Sequence, residues 1–146
     1  MNQERIIEGN KLIAEFVDID IYQPPAGVEF SFICWHDPKQ LKEDYPDEPI
    51  HKYKLSDVEE PTMADGYPKY HSSWDWLMSV VEKIEKDYWV TIVTRLTKTS
   101  CAVHKPHKGF EQISRGDSFS KIHAIWLMVV SFIKWYNSCQ KEENLK

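Results

Sequence analysis

The sequence has no excess of positive charge: 18 lysines and arginines stand against 23 acids, a formal net charge of -5 at pH 7. Without an overall cationic field to gather phosphates, this argues against non-specific nucleic-acid binding as the main activity. Cysteine is scarce. Cys34, Cys101 and Cys139 are an odd, widely spaced set, which argues against a disulfide framework and predicts reduced thiols in a cytoplasmic protein. No apolar h-region follows the charged start MNQERIIEGNK, so no signal peptide is expected. The longest apolar run lies inside 122–133 and contains His123; it is too short to cross a bilayer. No internal repeat or low-complexity tract is visible.

What is present is a foldable chain of 146 residues, 42% hydrophobic and 28% charged, with six tryptophans. That is the length and composition of one globular domain. The chain is organised around 118–137, SFSKIHAIWLMVVSFIKWYN. On a helix this stretch places Phe119, Ile122, Ile125, Trp126, Val129, Val130, Ile133 and Tyr136 on one broad face, the recurrence of a core helix. A second helix is predicted over 70–86, with Trp74, Leu77, Met78, Val81 and Ile84 as its stripe and Ser72 with Asp75 as a capping box. A third is predicted over 2–17, weakened by Gly9.

Strands are predicted at 18–22, 28–35, 50–55, 88–97 and 99–104, from alternation or from β-branched and aromatic content. Between 36 and 69 five prolines and nine acids against four lysines predict an irregular, acidic surface excursion. Residues 105–116 read as a basic loop, and 140–146 as a frayed polar tail. The element order predicts one α+β domain over 1–146: a mainly antiparallel sheet covered by three helices, as two layers or an α-β-α sandwich.

Three segments carry a likeness to known proteins: 10–16, NKLIAEF; 70–85, YHSSWDWLMSVVEKIE; and 132–137, FIKWYN. They resemble a family of small uncharacterised proteins encoded in bacterial genomes, prophages and phages, similar in plan to phage-type α/β sandwich domains. The resemblance implies a compact α-β-α layering with a C-terminal helix and a phage or mobile-element context. It brings no activity and no catalytic residue.

Candidate chemistry is sparse. His71-Ser72-Ser73 has the H-x-S form of two-histidine phosphoesterases, but no second H-x-[ST] occurs, and that chemistry needs an acid and a base. Cys34 with His36, and Cys101 with His104, are weak candidates for a zinc site, since they lack tight C-x₂-C pairs. Buried free cysteines are the better reading. The sharper feature is a charge split. Residues 95–121 carry Arg95, Lys98, Lys105, Lys108, Arg115 and Lys121 against Glu111 and Asp117, a local positive patch on an acidic protein.

Three functions follow in order. The first is a non-enzymatic phage or mobile-element accessory domain that presents its acidic and basic segments to a protein partner in the host cytoplasm, with no cofactor and no membrane. The second is a small-ligand or nucleotide-binding domain using the basic region, with Arg95, Lys105, His107, Lys108 and Arg115 as phosphate-binding residues. The third is a histidine-dependent phosphoesterase or metal enzyme. A phosphate-sized basic cleft favours the second, and a flat charged surface the first.

Overall fold

The computed structural model describes residues 2–23, 33–47, 49–59, 61–107 and 109–144. The chain forms two compact units, one of Met1–Ile13 with Lys69–Lys146 and one of Ala14–Pro68. The division falls inside the first helix, α1 (Gln3–Val17).

In the smaller unit β1 (Asp20–Gln23) pairs antiparallel with β3 (His51–Lys54), and β2 (Ile33–Cys34) pairs parallel with β4 (Thr62–Met63). A seven-residue helix, α2 (Pro38–Asp44), stands between β2 and β3. Asp37 caps it by accepting the Lys39 N–H at 2.9 Å, and Pro38 occupies its first turn. A proline there interrupts nothing, because that N–H has no intrahelical partner anyway. The core of this unit gathers Ile21, Cys34, Trp35, Leu41 and Leu55, with the ring of Trp35 edge-on to Tyr45. Its acids work locally rather than as a bare surface. Asp65 accepts the N–H groups of His36 and Asp37, Asp57 accepts that of Lys54, and Asp20 holds Lys52 and Lys54.

In the larger unit α3 (Trp74–Glu85) leads into an antiparallel sheet, β5 (Trp89–Arg95), β6 (Lys98–His104) and β7 (Gln112–Ser118), in that spatial order. The closing helix, α4 (Lys121–Asn144), covers one face of it. Ala124, Ile125, Trp126, Met128, Val129, Val130, Phe132 and Ile133 are its buried positions. The sheet face beneath carries Thr99, Cys101, Val103, Ser114 and Gly116, all buried or nearly so. Helix and sheet meet very closely at Gly116: a Cβ there would strike the Ala124 carbonyl and lie 2.7 Å from the Met128 nitrogen. The Cys101 thiol donates at 3.1 Å to the same carbonyl.

The α+β class holds, but the expected architecture needs correction. There are four α-helices among the described residues, not three, and the strands form two pairs and a triplet, one pair of them parallel, instead of one mainly antiparallel sheet. The fourth helix is α2, hidden by reading Pro38 as a breaker. The 105–116 loop is also revised, because its second half is strand β7. α4 runs to Asn144 where a frayed tail was expected, whereas Phe119 precedes it and is 78% exposed. On α3 the cap is Ser73, which accepts the Trp76 N–H, and Trp74 is exposed, so the buried stripe is Leu77, Val80, Val81 and Ile84. The strand predicted over 28–35 lies outside the described residues up to 32.

Candidate functional site

The hairpin register decides which side chains share the sheet's second face. Pairing sets Trp89 opposite His104, Thr91 opposite Ala102, Val93 opposite Ser100 and Arg95 opposite Lys98. On the far side of β6, Ala102 faces Arg115 and Ser100 faces Asp117. Directly paired residues project to the same face, so this face, turned away from α4, collects all of them. The middle of its central strand offers only the small residues Ser100 and Ala102, while Arg95, Lys98 and Arg115 rise around Ser100. The result is a depression of about 300 Å³ lined by Val93, Arg95, Lys98, Ser100 and Arg115.

The charges in this depression are unequal in use. Arg115 is bidentate to Asp117, at 2.7 and 3.1 Å, and Asp117 also accepts the Ser100 hydroxyl at 2.6 Å. Arg115 first, and Ser100 next, hold the Asp117 carboxyl down at about 2, so it stays ionised and offsets Arg115. Neither Arg95 nor Lys98 makes an ion pair among the described residues. Lys98 acts on Asp117 only through its charge, as a lesser cause of the lowered pKa, so Arg95, Lys98 and Arg115 stand against one carboxylate and leave the face net positive. The other end of the face is aromatic: Trp89 packs on Phe110 with ring centroids 4.5 Å apart, and both rings remain about half exposed. His104 sits between, touching Thr91 and the Phe110 carbonyl.

Of the residues singled out for phosphate binding, Arg95 and Arg115 come together. Lys105 does not join them: it pairs with Glu111 at 3.6 Å and stands over the Trp135 ring. His107 is exposed and is not part of the depression, and Lys108 lies outside the described residues. Lys98 was named in the basic patch but not among the phosphate-binding residues, and Ser100 and Trp89 were not singled out. A two-residue turn at Leu96-Thr97 would have flagged Lys98, since it makes Arg95 and Lys98 cross-strand neighbours; Ser100 and Trp89 follow only from the full register.

The other candidates have structural roles. The Trp126 indole N–H donates to the Asn10 Oδ1 at 2.9 Å. An indole can only donate, so this fixes the amide, and the Asn10 NH₂ group must donate to His71 Nδ1, also at 2.9 Å. His71 therefore carries its proton on Nε2, and burial followed by Lys69 lowers its pKa. It is a structural acceptor beside Asn10, a side chain only 4% exposed. Burial drives the Cys101 thiol up to about 11 and raises that of Cys34, the reverse of what a nucleophile or a metal ligand needs. His36 pairs with Asp65 at 3.1 Å and with the Gly66 carbonyl. Among the described residues no group of three or more His, Cys, Asp or Glu side chains is placed to hold a metal ion.

A larger hollow of about 390 Å³ borders α1, β7 and α4, with Arg5, Glu8, Asp117, Trp126 and Lys134 in its lining. Arg115 lines it too, so three bases stand against two acids, and Arg115 is already bidentate to Asp117. No described helix is long and apolar enough to cross a membrane. No family model matches the chain, and neither a curated protein nor a solved structure gives a match.

Proposed function

We propose that this is a non-catalytic binding protein whose working surface is the open face of the β5–β6–β7 sheet, and that its ligand is anionic and phosphate-bearing. One observation carries the reading: Arg95 and Lys98, in no ion pair among the described residues, share a depression of about 300 Å³ with Arg115 and Ser100. Arg95 and Lys98 flank a small-residue floor and leave room for a phosphate to accept charge-assisted hydrogen bonds from both sides. Asp117 keeps the Arg115 guanidinium in place, and also sets the limit on charge: the net gain comes from two cations, not three. The free cysteines, two of them buried, suit a reducing compartment, and the host cytoplasm is the setting proposed. A mobile-element origin belongs to the proposal only through the sequence resemblance.

Inorganic pyrophosphate is the probe. Titrated into ¹⁵N-labelled protein, it is expected to move amide signals of 93–100 and 115–117 with an affinity near about 1 mM, as suits an exposed site worth about 4 kcal/mol. Replacing both Arg95 and Lys98 by Ala should weaken binding about a hundredfold, to below detection, since each hydrogen bond to a charged group contributes roughly 1.5 kcal/mol. Shifts scattered over the surface, or binding that survives the double variant, would remove the reading.

A further inference from the structure

Strand β5 has more exposure than a phosphate site requires. Among the described residues it is an edge strand, bonded only to β6, and six of its seven residues are exposed. Its sequence, WVTIVTR, has none of the usual guards of a free edge: no proline, no acid, and a single charge at its last position. Apolar exposure concentrates on it, at Trp89 (55%), Val93 (46%) and Ile92 (37%), and at Leu96 (101%) on the hairpin tip. Leu96 also has a φ of 55°, a left-handed conformation that a leucine adopts only at a cost. Six exposed positions on one strand mean that even the side facing α4 is incompletely covered.

We propose that β5 pairs antiparallel with β5 of a second copy of this chain, about a twofold axis at Ile92, to give a continuous six-stranded sheet. The occupant is argued from the strand's complementarity to its own reverse, which is what a twofold interface demands. With Ile92 opposite its own counterpart, Thr91 meets Val93 of the second copy, Val90 meets its Thr94, and Trp89 meets its Arg95. β-Branched residues are favourable cross-strand neighbours, and a guanidinium over an indole face is a cation–π contact. The strand's one charge thus meets its largest ring, twice. The same register brings the wholly exposed Leu96 level with Tyr88 of the second copy. Because Arg95 also lines the anion depression, Trp89 of the second copy would border that depression, and the site would be shared between two chains.

The pairing rests on the strand alone and not on the ligand reading. Sedimentation velocity should give twice the chain mass for the wild type and the single mass for Ile92→Lys, with an unchanged circular dichroism spectrum. Register is read by oxidative cross-linking in a Cys139→Ser background. Ile92→Cys should link to itself, and a mixture of Thr91→Cys with Val93→Cys should link where neither does alone. A monomer at every soluble concentration overturns the proposal, as does a dimer that Ile92→Lys leaves intact or that links only at other positions. The cross-links are read on folded protein, so they decide the matter even if Ile92→Lys fails to fold. Pyrophosphate shifts that persist in a monomer would leave the ligand reading standing.

Discussion

At the scale of single residues, the most consequential arrangement is the chain of bonds from Trp126 through Asn10 to His71. Its polarity runs one way, because the indole can only donate, and it ends on a histidine nitrogen that must stay unprotonated. Protonating His71 would set two donors against each other. Its pKa is lowered in the folded protein, by burial first and Lys69 second, so the unfolded chain binds this proton more tightly. Stability is therefore fully present above the ordinary histidine value of about 6.5 and is lost as pH falls below it. Urea unfolding at neutral pH and at about pH 5 should show that loss, and His71→Gln should shrink it; an identical difference in the variant would assign the effect elsewhere. Trp126→Ala removes the donor and a buried ring together and should cost about 3–5 kcal/mol, whereas an unchanged melting temperature would mean that the ring is not buried. The cysteines separate by the same physics. Cys34 and Cys101 are buried with raised pKa values, and a thiol reagent should label Cys139 fast and the other two only on unfolding.

Elements meet here through small residues, and that is why one of them escaped the sequence. β7 reads QISRGDS, with no apolar alternation to announce a strand. Its positions beneath α4 are Ser114 and Gly116, small because the helix backbone lies almost on the strand. A methyl group at 116 would meet backbone atoms, which cannot rotate away. Gly116→Ala should therefore destabilise by about 1–3 kcal/mol or more, measured by thermal or urea unfolding, as overpacking does; a neutral substitution would contradict the close approach. Gly9 is tight for a different reason: its neighbour is the Trp126 ring, a side chain, which can shift. α2 was hidden by the opposite kind of ambiguity. Asp37-Pro38 is a helix-start signal, and only the cap bond to Lys39 separates it from the helix-breaking reading of the same proline.

For the whole molecule, the net charge of -5 is a poor guide to what the surface recognises. A total does not report placement, and Arg95 and Lys98 keep their charge while many of the acids are engaged in caps and pairs. If pyrophosphate binds the folded chain alone, saturation at ten times its dissociation constant should raise stability by about 1.4 kcal/mol. The Arg95→Ala, Lys98→Ala double variant should lose that increment in a thermal-shift titration, and a shift of equal size in both proteins would place the anion elsewhere. The α+β class, α3, α4, the β5–β6 hairpin and the presence of a basic cluster were legible in the residues, because periodicity, β-branching and charge runs are local properties. Which basic residues converge was not legible. Arg95 and Lys98 meet across a two-residue turn, Arg115 arrives from a strand without a hydrophobic signature, and Lys105 is drawn away by Glu111 and Trp135. The sequence alone therefore determined what kinds of elements form and where the charge lies along the chain. Register and close packing, which join residues far apart in sequence, decided which side chains face one another, and so where the site is.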